Sequence, residues 1–369
     1  MRYQFLLLFL LGSLPALAQP AARLPYRNLV MEGGGIRGIA YGGALAELEK
    51  QDVLAGLQRV GGTSAGAIQA ALLAVGYSPS EIIEVVNRTP IQRLNDGRLI
   101  FLGGSTRLVT QYGWYRGDEL TKYLSELVAR KTGNPHLTLG ELHALARQQS
   151  TRYRDLYTTG TNLTRQCTQV FSHENHPFMR VADAVRISMS IPLYFRAVLL
   201  DTTGHVVHRP APGQPVEVLV DGGLLANYPI DLFDKARYLS STATEAADVA
   251  TNSVVKEDTT QKIATSSVPF SNPETLGLRL DRAEQIALDA RPGGRRQLAP
   301  YAVQDFGSYV GALYTVAIEN LSPARPTDQA RTISISTLGF NPKIKRVSDA
   351  QKQQLTDSGR AGVQAFFGR

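Results

Sequence analysis

The sequence predicts an α/β fold with a mostly parallel central sheet flanked by helices on both faces. Two observations carry this. Short apolar runs stop at glycine-rich turns and give way to helical patterns, and the same strand–turn–helix rhythm occurs twice between residues 28 and 75. The composition is that of an ordinary globular chain: 369 residues, 43% hydrophobic and 19% charged, which excludes disorder, a collagen-like repeat and a coiled coil. By length alone two domains of ~150 residues would fit, but the elements run on without a linker. Residues 28–369 are therefore read as one domain.

The elements follow in order. Residues 1–18 read as a signal peptide: Arg2 gives a positive start, Phe5 to Leu11 an apolar run, and Ala16-Leu17-Ala18 a small-x-small cleavage pattern. The run is shorter than the ~20 apolar residues of a membrane span. Export to the periplasm or beyond the cell is expected, leaving 369 − 18 = 351 residues with no membrane-spanning segment. Residues 19–27 form a polar lead. Asn28 to Met31 is the first strand, and Arg37 to Lys50 a helix with Ile39, Leu45 and Leu48 on one face. Leu57 to Val60 is a second strand, and Ala65 to Val75 a buried helix ended by Gly76. Further helices are expected over Leu120–Arg130, Leu139–Arg147, Val181–Met189, Tyr309–Leu321 and Asp349–Phe367. Strands are expected over Glu217–Val220, Thr275–Leu280 and Arg331–Ser336. Between Ser240 and Ser271, 12 of 32 residues are Ser or Thr, so this stretch reads as a surface excursion within the domain.

Lys and Arg exceed Asp and Glu by 39 to 32, a formal charge of +7. The excess is modest for the length and its residues are scattered along the chain, which reads as solvated surface and gives no case for nucleic acid. Cys167 is the only cysteine, so neither an internal disulfide nor a Cys-based metal cluster is possible. An isolated Cys is expected to be a small buried hydrophobe.

Gly62-Thr63-Ser64-Ala65-Gly66 fits G-x-S-x-G between an expected strand and an expected helix. In that context it describes a nucleophile elbow, in which a tight turn lifts the serine hydroxyl above the sheet and only small neighbours let strand and helix meet. The helix that follows points its free N–H groups at the same spot. The competing reading is a helix start with a serine N-cap. Gly33-Gly34-Gly35-Ile36-Arg37-Gly38 also fits the dinucleotide fingerprint G-x-G-x-x-G. That reading requires an acid at the end of the next strand to hold the ribose; here the strand ends in Arg59-Val60-Gly61. A Walker loop fails as well, because no Gly-Lys-Ser/Thr closes the turn. The remaining reading is an oxyanion hole: consecutive glycines leave backbone amides open to a carbonyl oxygen, and Ala65 N–H adds a donor directly after the serine. Arg37 would orient a lipid head group or the loop, or form a surface salt bridge.

A Ser-Asp-His triad in α/β-hydrolase order needs a histidine after its acid. All six histidines, 136, 143, 173, 176, 205 and 208, precede Asp221. His173 and His176 have metal-ligand character, but no acidic cluster supports them. Asp221 is the better partner for Ser64. It ends the strand Val218-Leu219-Val220 before Gly222 and Gly223, which puts a carboxylate at the carboxyl edge of the sheet, where ligands collect. The competing reading is a turn aspartate. An ordinary carboxylate is a weak base toward serine, and burial would raise its pKa into range.

With these residues in place, the chain resembles the patatin-like phospholipase family. The family's ordered blocks are Gly33 to Gly38, Gly62 to Gly66 and Asp221 to Gly223. Ala184 to Ser188 followed by Ile191-Pro192 and Tyr194-Phe195, the extension Asp221 to Pro229, and Asn272 to Arg279 are similar too. Together they span residues 28–279. The resemblance implies a three-layer sandwich with Ser64 as nucleophile and Asp221 as general base of a dyad without histidine. Gly34 and Gly35 amides would form the oxyanion hole with Arg37 beside it, and Gly33, Gly38, Gly62, Gly66, Gly222 and Gly223 would support the turns. It implies cleavage of fatty acyl esters of phospholipids at a membrane or micelle surface, without metal or other cofactor. Residues 240–271 lie outside the family pattern. Two other readings stay open: a triacylglycerol lipase or thioesterase with the same dyad, and a catalytically silent lipid-binding module.

Overall fold

The computed structural model describes residues 26–89, 94–96, 107–240, 270–291, 298–319, 326–340 and 347–368. The expected signal peptide, most of the lead and all but the ends of the Ser/Thr-rich excursion lie outside these residues. Ten strands are described: β1 Asn28–Met31, β2 Arg59–Gly62, β3 Gly113–Tyr115, β4 Asp155–Asn162, β5 Cys167–Phe171, β6 Leu193–Phe195, β7 Val198–Leu200, β8 Glu217–Asp221, β9 Thr275–Asp281 and β10 Thr332–Ser336. The helices are α1 Ala40–Lys50, α2 Val53–Gly56, α3 Ala65–Ala74, α4 Pro79–Arg88, α5 Asp118–Thr132, α6 Leu139–Gln148, α7 Val181–Ser188, α8 Ala283–Asp289, α9 Phe306–Glu319 and α10 Asp349–Phe367.

Eight strands form one mixed sheet along the path β10-β9-β1-β2-β4-β8-β7, with β5 also on β4. The pairs from β10 to β4 are all parallel, as the strand–helix alternation predicts. Period-two alternation divides the two faces. Leu29 and Met31 join the large core cluster with α1 and α3, whereas Val30 turns the other way toward Tyr157, Phe233 and Tyr238. α1 and α10 cross at close range, and glycine makes this possible: a Cβ on Gly43 would lie 1.8 Å from the Thr356 carbonyl oxygen, and one on Gly359 1.9 Å from that of Ala40. Among the described residues no helix is long and apolar enough to cross a membrane.

Two local expectations are corrected. The first helix begins as a 3-10 turn over Gly35–Ile39 and becomes α-helical only at Ala40, because the glycine loop is drawn into the site. The second strand is Arg59–Gly62, shifted toward the elbow, since Leu57 still caps the short α2.

β4 governs the layout. Its residues Thr158 to Asn162 pair with β5 along one edge. Both β2, at Asp155–Thr158, and β8, at Gly160–Asn162, must then occupy the opposite edge. They lie end to end in one lane and run in opposite directions, so their carboxyl ends face each other. Gly62 sits across from Thr158 and Asp221 across from Gly160. Two rungs of about 3.3 Å separate those positions.

Candidate active site

The chain leaves β2 through Thr63 and turns sharply at Ser64, whose φ of 52° and ψ of −120° are far from any common serine conformation. Ser64 occupies the N-cap position of α3, yet its side chain makes no capping bond. The simple N-cap reading therefore fails, and the backbone makes the sharp strand-to-helix turn that an elbow requires. Gly66 explains why strand and helix can meet so closely: a Cβ there would lie 2.2 Å from the Met31 carbonyl oxygen and 2.7 Å from that of Glu32. Gly62 is bounded in the same way by Gly66 and Met31. The Ser64 N–H donates to Ser188 Oγ at 3.0 Å, and Thr63 Oγ1 donates to the Ala226 carbonyl at 2.8 Å. The bend is thus held from both flanks.

Asp221 arrives from the other end of the lane. Sequence reasoning placed it correctly at the carboxyl edge of the parallel strands, but it reaches that edge on a strand running antiparallel to them. Its N–H donates to the Ser190 carbonyl at 2.9 Å, and Gly223 N–H donates to its Oδ1 at 2.8 Å. Asp221 is 5% exposed. Burial pushes its pKa up to about 7, against the opposing effect of hydrogen bonds from Gly223 N–H and the Ser64 hydroxyl. The Ser64 hydroxyl also lies 3.6 Å from Met189 Sδ. A thioether is a weak acceptor, so it does not compete with a carboxylate for the proton.

The glycine loop lies beside the elbow. Arg37 N–H and Nε both donate to the Gly34 carbonyl at 3.2 Å. Asn227 Nδ2 donates to the Gly33 carbonyl at 3.2 Å, and Gly33 N–H donates back to Asn227 O at 3.0 Å. In a trans peptide the N–H points opposite to the C=O. Fixing these two carbonyls therefore turns the N–H groups of Gly34 and Gly35 away from Asn227 and Arg37. Neither amide, nor that of Ala65, has an acceptor among the described residues. Arg37 is 3% exposed, which removes the head-group and surface salt-bridge roles, and its bonds to the Gly34 carbonyl fit the third expected role, holding the loop. Gly38 packs on Ala65, Gly222 on Thr159, and Gly223 beside Asn227.

An apolar cavity opens from this point. Gly35, Ala65 and Met189 line it beside the turn at Ser64, together with Ile68 and Leu72 of α3 and Leu124 and Leu127 of α5.

A family model described as "Patatin-like phospholipase" matches residues 29–234, more than half of the chain. The chain belongs to the patatin-like phospholipase family. Among its relatives, the uncharacterized protein YqhO of Bacillus subtilis (strain 168) is 35% identical over 219 residues, 58% of this chain and 68% of that one. The probable lipid hydrolase 463L of Invertebrate iridescent virus 6 is 25% identical over 208 residues, 56% of this chain and 63% of that one, so the match spans less than two thirds of the viral protein. Among solved structures, VipD from Legionella pneumophila superimposes with a TM-score of 0.50 at 16% identity, covering 94% of this chain and 67% of VipD. That likeness bears on the fold alone.

In this patatin-like chain several site residues were not legible as such. Glu32 is 4% exposed; its Oε2 accepts from Leu280 N–H at 2.7 Å and its Oε1 from Asn227 Nδ2 at 3.2 Å, tying the glycine loop to β9 and to the segment after Asp221. A buried acid directly before three glycines was the available signal. Ser188 closes the Ala184–Ser188 block and Met189 ends the expected helix Val181–Met189, and neither position by itself signals its contact with Ser64. The histidines stay away from the site. His173 does not pair with His176 but stacks on His143, with ring centroids 3.8 Å apart and planes within 6°, and both face Asp155 at the start of β4. The ligand atoms of His143, Asp155 and His173 lie within 4.8 Å of one another, so an acid does stand beside His173, although the near-parallel rings do not direct both in-plane lone pairs to one point. Cys167 is exposed, contrary to expectation, because β5 begins where the β4–β5 hairpin extends into solvent.

Proposed function

We propose that the chain is a serine acyl hydrolase that cleaves fatty acyl esters of phospholipids through Ser64 and Asp221. The observation that carries this reading is the end-to-end placement of β2 and β8, which sets an elbow serine against a buried carboxyl with a pKa pushed up to about 7. A base with that pKa is half ionised at neutral pH and is a far better proton acceptor than an ordinary aspartate.

In the proposed reaction the Ser64 Oγ–H gives its proton to the Asp221 carboxylate as Oγ attacks the ester carbonyl. The negative charge that forms on the carbonyl oxygen falls among the N–H groups of Gly34, Gly35 and Ala65. Each such donor contributes about 10²–10³ in rate when it is aimed at that charge. Collapse of the tetrahedral adduct expels the alcohol, which takes the proton from Asp221, and leaves an acyl ester on Ser64. Water then gives a proton to Asp221, attacks the acyl carbon and releases the fatty acid, and the proton returns to Ser64 Oγ. The apolar cavity beside Ala65 and Met189 is the natural seat for the acyl chain. Export through residues 1–18 belongs to this reading.

The test is release of fatty acid from phosphatidylcholine, triglyceride and acyl thioester by the purified chain, with Ser64→Ala and Asp221→Asn beside it. Ser64-dependent release, fastest from the phospholipid, supports the proposal. Turnover that survives in either variant contradicts the dyad, and a faster thioester or triglyceride reaction reassigns the substrate.

A further inference from the structure

The ribbon formed by β3 and β6 pairs Gly113 with Leu193 and Tyr115 with Phe195. At its leading end two bulky residues hold left-handed backbone, Tyr112 at φ 61° and Leu193 at φ 66°. Such strain in large side chains is uncommon and clusters at functional positions. It is ordinarily offset by burial, yet here Tyr112 is 53% exposed, Leu193 67% and the nearby Val109 77%. The other end of the ribbon reaches the site, since Phe195 lines the apolar cavity and Tyr194 accepts a hydrogen bond from Asn95, which lines it too.

Cations scattered along the sequence come together on this face. Arg107, Arg116, Lys122, Arg180, Arg196 and Arg209 line contiguous grooves along α5. Of the acids there, Asp118 is engaged by Arg196 at 2.7 Å and Asp183 by Arg180 at 2.7 Å, and Glu126 remains. Arg116, Lys122 and Arg209 are exposed and have no ion-pair partner among the described residues.

We propose that this face docks on an anionic phospholipid surface, with Val109, Tyr112 and Leu193 entering the interface while Arg116, Lys122 and Arg209 meet the headgroup phosphates. The proposal rests on the acyl-hydrolase reading for its purpose, because it places the lipid next to the cavity that would receive an acyl chain. Apolar tips set among cations are the pattern of an interfacial anchor. A nucleic acid would be held by the same charges but would gain nothing from an exposed valine and leucine.

Trp114 is the only tryptophan of the chain and lies on β3, two residues after Tyr112, so its emission reports on this face directly. The full chain carrying Ser64→Ala is titrated with vesicles of phosphatidylcholine alone and with vesicles containing one third phosphatidylglycerol. The expected result is a blue-shifted emission, quenched by brominated acyl chains, with at least about tenfold tighter binding to the anionic vesicles. Arg116→Ala and Arg209→Ala each weaken binding about fivefold, added salt weakens it further, and Tyr112→Ser with Leu193→Ser removes the bromolipid quenching. Equal binding to both vesicles, unaltered binding by the variants, or retention of an oligonucleotide in place of vesicles would overturn the proposal. Ser64-dependent hydrolysis of a soluble short-chain ester by each variant on a Ser64 background verifies folding and separates the two readings. Ester turnover without vesicle binding refutes only the docking face, and vesicle binding without ester turnover refutes only the catalytic reading.

Discussion

Replacing Asp221 by Asn should abolish turnover and, above neutral pH, make the protein more stable. The carboxyl is buried and its pKa in the folded chain is about 7, against an ordinary value of 3.8. Between those values the unfolded chain releases the proton that the folded chain keeps. A group whose folded pKa is raised contributes stability that is complete at low pH and is lost as pH rises through the folded value. Each pH unit inside that window is worth up to about 1.4 kcal/mol, and from pH 5 to pH 8 the loss comes to about 2–3 kcal/mol. Asn cannot ionise, so the variant escapes it. Relative to the parent, Asp221→Asn should therefore gain about 2–3 kcal/mol between pH 5 and pH 8, or roughly 3–4 °C in melting temperature for a chain of this length. Paired urea denaturation curves at the two pH values measure the difference, and every other titrating group cancels between the two proteins. The same ionisation gives kcat/KM an acid limb near pH 7, since the base works only when deprotonated. A stability difference that does not change with pH would refute the claim that Asp221 is held in a site hostile to its charge.

The other expectations concern the machinery around this pair. Gly66→Ala would place a methyl 2.2 Å from the Met31 carbonyl oxygen, which cannot retreat without breaking β1, so a loss of about 3 kcal/mol or more is expected by denaturation. Arg37→Met frees the Gly34 carbonyl from its Nε donor, and kcat should fall about tenfold or more with little change in KM, because the loop amides matter most in the transition state. Ile68→Phe adds bulk to the apolar cavity close to Ala65, and the ratio of butyryl to palmitoyl ester turnover should rise severalfold; an unchanged ratio would exclude the cavity as the acyl seat.

The sequence was most legible where local chemistry acts alone. The first strand was placed at Asn28–Met31 and the last helix at Asp349–Phe367, because an abrupt glycine stop and a long periodic pattern each define their own ends. The α4 helix was missed although Ser78-Pro79-Ser80-Glu81 carries a capping box, with Ser78 accepting from Glu81 N–H and Glu81 accepting from Ser78 N–H. β4 was missed for a different reason. Its sequence is rich in threonine, and Thr158, Thr159 and Thr161 are all buried, so no hydrophobic alternation reveals it. That strand sets the register of both β2 and β8. The candidate residues could thus be named from motifs, while the reason they meet lay in a strand whose inward-facing groups are polar. The charge of Arg37 left surface and loop roles equally open in the sequence. The side chain is buried because a carbonyl of the glycine loop needs a donor, a demand that appears only when the loop is folded.

The most direct measurement is the intact mass and peptide map of the protein after exposure to a long-chain alkyl fluorophosphonate across pH 5 to 9. One adduct is predicted, on Ser64, forming at a rate that rises through pH 7 and drops by orders of magnitude in Asp221→Asn. An adduct on a different residue, or labelling of Ser64 that proceeds undiminished without the carboxylate, would contradict the account.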